Sequence, residues 1–152
     1  MLKRFLHRYI TGMERHYNYD ATYMHEMLDA SLSGFRRYTK MQMAARNWGG
    51  GAPLNAVAAA GIAGALVEDC GPCVQIGSDI AMEQGMKGEV IRALLSGTPT
   101  DADAQLGFDY GRALLHGSEN LDDLRETIEK KWGKEALIAM SLQAMTSRNY
   151  PV

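Results

Sequence analysis

The sequence predicts an all-α protein, and three of its features support that prediction. Only four of the 152 residues are proline, which leaves room for long helices. Apolar residues recur at helical spacing in most segments, and no alternating strand pattern extends beyond a few residues. The 16 glycines fall mostly at apparent helix ends and in one loop. We therefore expect one compact protein of antiparallel neighbouring helices joined by short loops.

An N-terminal helical arm is predicted over residues 1–50. Its first helix should run from Met1 to about Tyr17, with an apolar side formed by Leu2, Phe5, Leu6 and Tyr9. Asp20 suits an N-cap, and a single long helix is expected from there to about Arg46. The segment Trp48-Gly49-Gly50-Gly51-Ala52-Pro53 must be a loop, which marks the boundary with a core over residues 51–152.

The core should begin with a helix of small residues, about Leu54–Leu66, which would let another backbone approach closely. The next helix should start near Asp69 or Cys70 and run to about Glu83, with Pro72 in its first turn. A turn that contains two glycines then leads into a short helix, Glu89–Leu95.

Capping signals are clearest in the last third of the chain. Thr100, with Asp103 three residues on, suits a capping box at the start of a helix to about Leu115. Asn120 suits the N-cap of a helix that ends at Gly133. A final helix is expected over about Lys134–Ser147.

The charge of the chain argues against a nucleic-acid partner, because the net value is only −2. The charges are unevenly spread: residues 1–46 carry eight Lys/Arg and four Asp/Glu, and the rest carries eight and fourteen. The blocks of one sign are short and mixed, so we expect the basic arm to lie on the acidic body or on a neighbouring subunit.

No targeting or membrane-spanning segment is expected. Met1–Ile10 lacks the continuous apolar stretch of a signal peptide. The longest apolar run, Ala56–Val67, is far shorter than the roughly 20 residues needed to cross a bilayer. The default prediction is a cytoplasmic protein without a membrane partner. In that compartment, two cysteines three residues apart favour redox or metal chemistry over a structural disulfide.

The strongest chemical signal is the segment Glu68-Asp69-Cys70-Gly71-Pro72-Cys73. Thiols at i and i+3 of a helix share a face, which allows a disulfide across the first turn. The free N–H groups and partial positive charge of a helix N-terminus favour a thiolate, which is the nucleophile. Such a thiolate beside a resolving thiol can exchange disulfides, or reduce a peroxide through a sulfenic acid.

The two carboxylates before the cysteines add a possible proton acceptor. Glu68 could accept a proton from Cys70 or return one to a leaving thiolate, so the candidate catalytic residues are Cys70, Cys73 and Glu68. Asp69 is better explained as the N-cap of the helix. Both carboxylates oppose thiolate formation by their like charge.

Three other interpretations of the cysteine pair are weaker. A zinc site needs about four ligands, and none of the four histidines (His7, His16, His25 and His116) has ligand spacing near the pair, so no metal or other cofactor is expected. Two inert buried cysteines remain an alternative. Cys-Gly-Pro-Cys is also a thioredoxin-type tetrad, but no βαβ pattern precedes it.

From about Leu54 onward the chain resembles the alkylhydroperoxidase D-like, or carboxymuconolactone decarboxylase-like, family. The small-residue helix leads into Cys70-x-x-Cys73, and three further segments follow in the family's order. These segments are Glu89-Val90-Ile91-Arg92-Ala93-Leu94-Leu95-Ser96-Gly97, Leu106-Gly107-Phe108-Asp109-Tyr110-Gly111-Arg112-Ala113-Leu114-Leu115, and Leu121–Trp132 with a last helix ending Ser147-Arg148-Asn149-Tyr150.

The resemblance implies an alkylhydroperoxidase D-like helical bundle that assembles as a homo-oligomer, with a trimer or hexamer expected. It implies that Cys73 attacks a small hydroperoxide and that Cys70 resolves the product; a protein disulfide is the alternative substrate. The family's redox members carry a histidine where this chain has Gly77 and a glutamate where it has Ala58. Glu68 could replace that proton relay, as could His116 or Tyr110 if folding brought either one near.

Three functions therefore stay open. The first is a thiol-dependent peroxidase or disulfide oxidoreductase. The second is a non-catalytic oligomeric protein that has lost the proton relay, which Gly77 and Ala58 favour. The third is a carboxymuconolactone decarboxylase-like lyase acting on a small carboxylated ring, which would need a cationic pocket formed by Arg92 or Arg112, although both suit solvated helix faces.

Overall fold

The computed structural model describes residues 1–46 and 48–148, and in those ranges it contains nine α-helices and no strand. The all-α prediction is therefore confirmed. Asn149 and Tyr150, which the resemblance places at the end of the last helix, lie outside the described residues. The helices are α1 Leu2–Tyr17, α2 Thr22–Ala30, α3 Leu32–Ala44, α4 Leu54–Val67, α5 Gly71–Glu83, α6 Gly88–Leu95, α7 Ala102–His116, α8 Leu121–Trp132 and α9 Lys134–Thr146.

The helices fall into two compact units, residues 1–44 with α1–α3 and the residues from Ala45 onward with α4–α9. In the first unit, α2 packs against both α1 and α3. The predicted apolar side of α1 is largely exposed, since Leu2, Phe5 and Tyr9 are accessible, whereas Ile10 is fully buried.

The prediction of a single long helix from Asp20 to Arg46 is wrong, because the helix is interrupted at Ser31. Ser31 is extended, with φ −156° and ψ 109°, and it separates α2 from α3. Its hydroxyl oxygen accepts the Gly34 N–H at 3.0 Å, which is the N-cap bond of a new helix. A serine that bonds the backbone locally competes with helix continuation, and apolar spacing alone does not reveal this competition.

The second unit is built around α4, which packs against α5, α7 and α9. Ten consecutive residues of α4, 56–65, are buried, and eight of them are alanine or glycine. The close approach expected of this helix is confirmed at α7, where a Cβ on Gly107 would overlap the Ala56 carbonyl oxygen. A Cβ on Gly111, one turn later, would lie 2.8 Å from the Ala60 carbonyl oxygen.

The start of α7 differs from the sequence prediction by one residue. Asp101, not Thr100, is the N-cap, and its Oδ1 accepts the N–H groups of Asp103 and Ala104 at 3.0 and 2.9 Å. An ionised carboxylate is the better acceptor beside the partial positive charge of a helix N-terminus. The other carboxylate oxygen accepts the Asn55 side-chain N–H at 2.8 Å, which fixes α7 to the start of α4.

The last two helices follow the predicted boundaries closely. Asn120 stands at the N-cap position of α8, although its side chain makes no capping bond. Gly133 has φ 88° between α8 and α9, a conformation that glycine adopts without strain. The Tyr110 hydroxyl of α7 and the Ser141 hydroxyl of α9 are 2.8 Å apart, which joins these two helices. Within the described ranges, no helix is long and apolar enough to cross a membrane.

Candidate active site

Cys70 and Cys73 lie at the start of α5 and form a disulfide, with their Cα atoms 5.2 Å apart. The turn between α4 and α5 places them there. The Cys70 N–H donates to the Ala65 carbonyl at 3.4 Å, and the Val74 N–H donates to the Cys70 carbonyl at 2.9 Å. The predicted pairing across the first turn of a helix is therefore present in the structure.

The two sulfurs have different surroundings. Cys70 is the N-cap residue of α5 and is half-buried, whereas Cys73 is only 4% exposed. The Cys73 N–H donates to the Cys70 sulfur at 3.3 Å, which is the side-chain bond of an N-cap. The same N–H and the helix N-terminus would stabilise a thiolate on Cys70 once the disulfide is reduced. Cys70 is thus the more exposed residue of the pair.

Asp69 is not the N-cap that the sequence suggested. It precedes the cap and has φ 53°, the left-handed conformation, while its N–H donates to the Leu66 carbonyl at 3.0 Å. The left-handed residue reverses the chain between α4 and α5, so that the following residue, Cys70, begins the new helix. Aspartate tolerates this conformation better than most residues with a Cβ.

Asp69 provides a stability prediction for this turn. Asp69→Gly should leave the free energy of unfolding unchanged or raise it slightly, because glycine adopts positive φ freely. Asp69→Val should lower it by about 1–2 kcal/mol, because a β-branched residue is strained there. Urea denaturation of both variants measures the difference, and equal stabilities of the glycine and valine variants would contradict it.

Glu68, the third candidate residue, forms an ion pair with Arg148. Both side chains are partly exposed, and the two residues are 80 positions apart in sequence. The guanidinium offsets the carboxylate charge that would otherwise oppose a thiolate on nearby Cys70. Sequence reasoning missed this role of Arg148, because no local pattern connects residues so far apart.

The positions considered for a proton relay lie on three helices of the second unit, α4, α5 and α7. Gly77 follows Cys73 by one turn of α5, and a Cβ there would meet no atom within 4 Å. Ala58 is buried in α4. The Tyr110 hydroxyl is engaged with Ser141, and His116 is exposed at the last position of α7. Asp69 and Glu68 are the acidic residues nearest in sequence to the pair, one and two positions before Cys70.

The two arginines that the lyase interpretation needs are both exposed. Arg92 is exposed on α6. Arg112 is exposed on α7, where its guanidinium carbon lies 6.0 Å from the centre of the Phe108 ring.

Among residues 1–46 and 48–148, no group of three or more His, Cys, Asp or Glu side chains is arranged to hold a metal ion.

Comparisons with known proteins add no relative: no protein family, curated protein or solved structure matches this chain.

Proposed function

We propose that this protein is a dithiol–disulfide oxidoreductase in which Cys70 is the attacking thiol and Cys73 resolves the mixed disulfide. The observation that carries the proposal is the unequal placement of the two sulfurs. Cys70 is half-buried at the N-terminus of α5, and Cys73 is 4% exposed behind it. Thiol–disulfide exchange requires a reachable thiolate and a second thiol within bonding distance; the greater exposure of Cys70 and its disulfide to Cys73 support this assignment.

The reaction proceeds in two balanced exchanges. The Cys70 thiolate attacks one sulfur of a substrate disulfide, forms a mixed disulfide and releases the other sulfur as a thiolate, which takes up a proton. The Cys73 thiol loses its proton and attacks the Cys70 sulfur, which forms the Cys70–Cys73 disulfide and releases the second substrate thiol. Two electrons pass from the pair to the substrate, and an external dithiol returns them to restore the reduced protein.

A peroxidase of the type the resemblance implies is less well supported. That mechanism assigns the first attack to Cys73, whose sulfur belongs to a nearly buried residue. It also uses a histidine at the position of Gly77 and a glutamate at the position of Ala58, and neither side chain is present. Exchange at Cys70 needs no such relay, because the Cys73 N–H and the helix N-terminus already favour its thiolate.

Single cysteine variants test the proposed order of attack. The reduced protein is mixed with 5,5′-dithiobis(2-nitrobenzoate), and the release of thionitrobenzoate is followed by absorbance. Cys73→Ser should react at its Cys70 thiol and stop as a mixed disulfide, with one thionitrobenzoate released. Cys70→Ser should react on the order of 10-fold more slowly or worse, because its one thiol is nearly buried. The wild type should release two thionitrobenzoates and end as the internal disulfide.

The double variant, Cys70→Ser with Cys73→Ser, is the control for reactivity elsewhere, since these are the chain's two cysteines. Equal rates for the two single variants, or a wild-type rate no faster than that of free cysteine, would contradict the proposal. The second result would favour the non-catalytic alternative. Rapid consumption of a small hydroperoxide through Cys73, with slow disulfide exchange, would instead favour the peroxidase.

A further inference from the structure

Four ionisable side chains form a continuous chain of contacts between α1 and α2, within the first unit. The Nδ1 atoms of His7 and His25 are 2.6 Å apart, and the two rings are nearly parallel. The Nε2 atom of His7 lies 2.9 Å from Asp29 Oδ1, and the Nε2 atom of His25 lies 3.4 Å from Glu14 Oε2. Each helix thus contributes one histidine and one carboxylate, in the order Asp29–His7–His25–Glu14.

These contacts require a particular number of hydrogens on the four ring nitrogens. A carboxylate can only accept, so each Nε2 atom must carry a hydrogen toward its carboxylate. The Nδ1–Nδ1 contact needs a third hydrogen, because two bare lone pairs would repel at 2.6 Å. Two neutral imidazoles carry only two N–H hydrogens between them. We infer that His7 and His25 hold one additional, shared proton, which closes the α1–α2 hairpin as an imidazole–imidazolium pair between two carboxylates.

A metal ion fits this gap less well than a proton does. Zinc–nitrogen bonds of about 2.0–2.1 Å in a tetrahedral site would hold the two nitrogens more than about 3 Å apart. The observed 2.6 Å is shorter than that separation and shorter even than an ordinary N–H···O bond. The carboxylates would orient the rings for either cation, so the distance between the Nδ1 atoms is what favours the proton.

The charges around the pair favour one proton over two. From α1, Arg8 and Arg15 border the same cleft as His7, and the Lys3 ammonium donates to the Asp29 carbonyl at 3.1 Å. From α2, the charge facing His7 is the Asp29 carboxylate, and from α1 the charge facing His25 is Glu14. A second proton would add another cation beside these bases and would place two N–H groups head to head.

The shared proton therefore makes the hairpin sensitive to acid. The His7 and His25 side chains are 30% and 25% exposed, so solvent protons reach them. At neutral pH the singly protonated pair joins α1 to α2. Uptake of a second proton would place two N–H groups head to head, so it should separate the rings and loosen α1 from α2.

Ring-nitrogen NMR of the full chain, labelled with ¹⁵N-histidine, tests the inference at pH 7.5. Both Nε2 atoms of the pair should give the shift of a protonated nitrogen, and both Nδ1 atoms a shift midway between protonated and bare. His25→Gln should remove the midway signal of His7, and His116 in the other unit serves as the reference ring. On moving to pH 5, amide protection factors in α1 and α2 should fall on the order of 10-fold in the wild type and less in the variant.

Three results would overturn the inference. Fully bare Nδ1 signals that do not respond to EDTA would show that no cation bridges the rings. Bare Nδ1 signals that change after EDTA treatment would show a bound metal in place of the proton. Protection factors that fall equally in the wild type and in His25→Gln would show that the acid response does not come from this pair.

Discussion

Gly107→Ala is expected to lower the free energy of unfolding by about 3 kcal/mol or more, because no space exists for one added methyl group. A Cβ at this position would overlap the carbonyl oxygen of Ala56, which belongs to the backbone of α4. A side chain could rotate away, but a backbone carbonyl can move only if α4 and α7 separate. That separation would disturb the buried Ala/Gly segment on which the second unit is built.

Two other glycines of the same unit provide graded controls for Gly107→Ala. Gly111→Ala should cost less, since the nearest backbone oxygen would be 2.8 Å from the added Cβ. Gly77→Ala meets nothing within 4 Å and should stabilise the protein by about 1 kcal/mol through helix propensity. Guanidinium denaturation followed by helical circular dichroism ranks the three variants. Any order other than 77, then 111, then 107 in decreasing stability would contradict the packing between α4 and α7.

The fold was largely predictable because apolar spacing determines where helices form, but it does not determine which polar residue interrupts them. The sequence does not distinguish Ser31 as a cap from Ser31 as an ordinary helical residue, so α2 and α3 were predicted as one helix. Similarly, Thr100 and Asp101 are both good caps. The side-chain hydrogen bond that favours Asp101 comes from Asn55 of α4, which is far away in sequence. Helix ends depend on such competition between neighbours.

Contacts between residues close together in sequence were predictable, whereas contacts between residues far apart in sequence were not. Cys70 and Cys73 lie within one helical turn, so their spacing alone predicted the pairing. The ion pair of Glu68 with Arg148 and the contact of His7 with His25 depend on how separate helices pack. Apolar periodicity specifies which face of a helix is buried, but it does not specify which charged residues meet at the edges of that face.

Raising the pH above 10 is expected to destabilise the first unit through Tyr19, which is buried, and through Tyr23 and Tyr38, which are half-buried. The hydroxyls of Tyr23 and Tyr38 are 3.2 Å apart, and burial raises the pKa of both, with the hydrogen bond to Tyr38 raising the pKa of Tyr23 further. Burial also raises the pKa of Tyr19. The unfolded chain releases these protons near the ordinary value of 10.0, before the folded chain does. The contribution of these tyrosines to the free energy of unfolding is therefore fully present below pH 10 and is lost as the pH rises above it.

The size of this alkaline loss has an upper bound of about 1.4 kcal/mol per pH unit for each tyrosine, and partial solvent exposure reduces it. Urea denaturation at pH 8 and pH 11, with tyrosinate absorbance as a second signal, measures it. Tyr23→Phe should cost about 1 kcal/mol at pH 8, because Tyr38 loses a partner, but should show a smaller further loss at pH 11. Tyr9→Phe, at a position 58% exposed, should keep the wild-type pH dependence. An unchanged pH dependence in Tyr23→Phe would mean that lysine or other groups cause the loss, because removing the half-buried Tyr23 hydroxyl would then leave the pH-dependent loss unaltered.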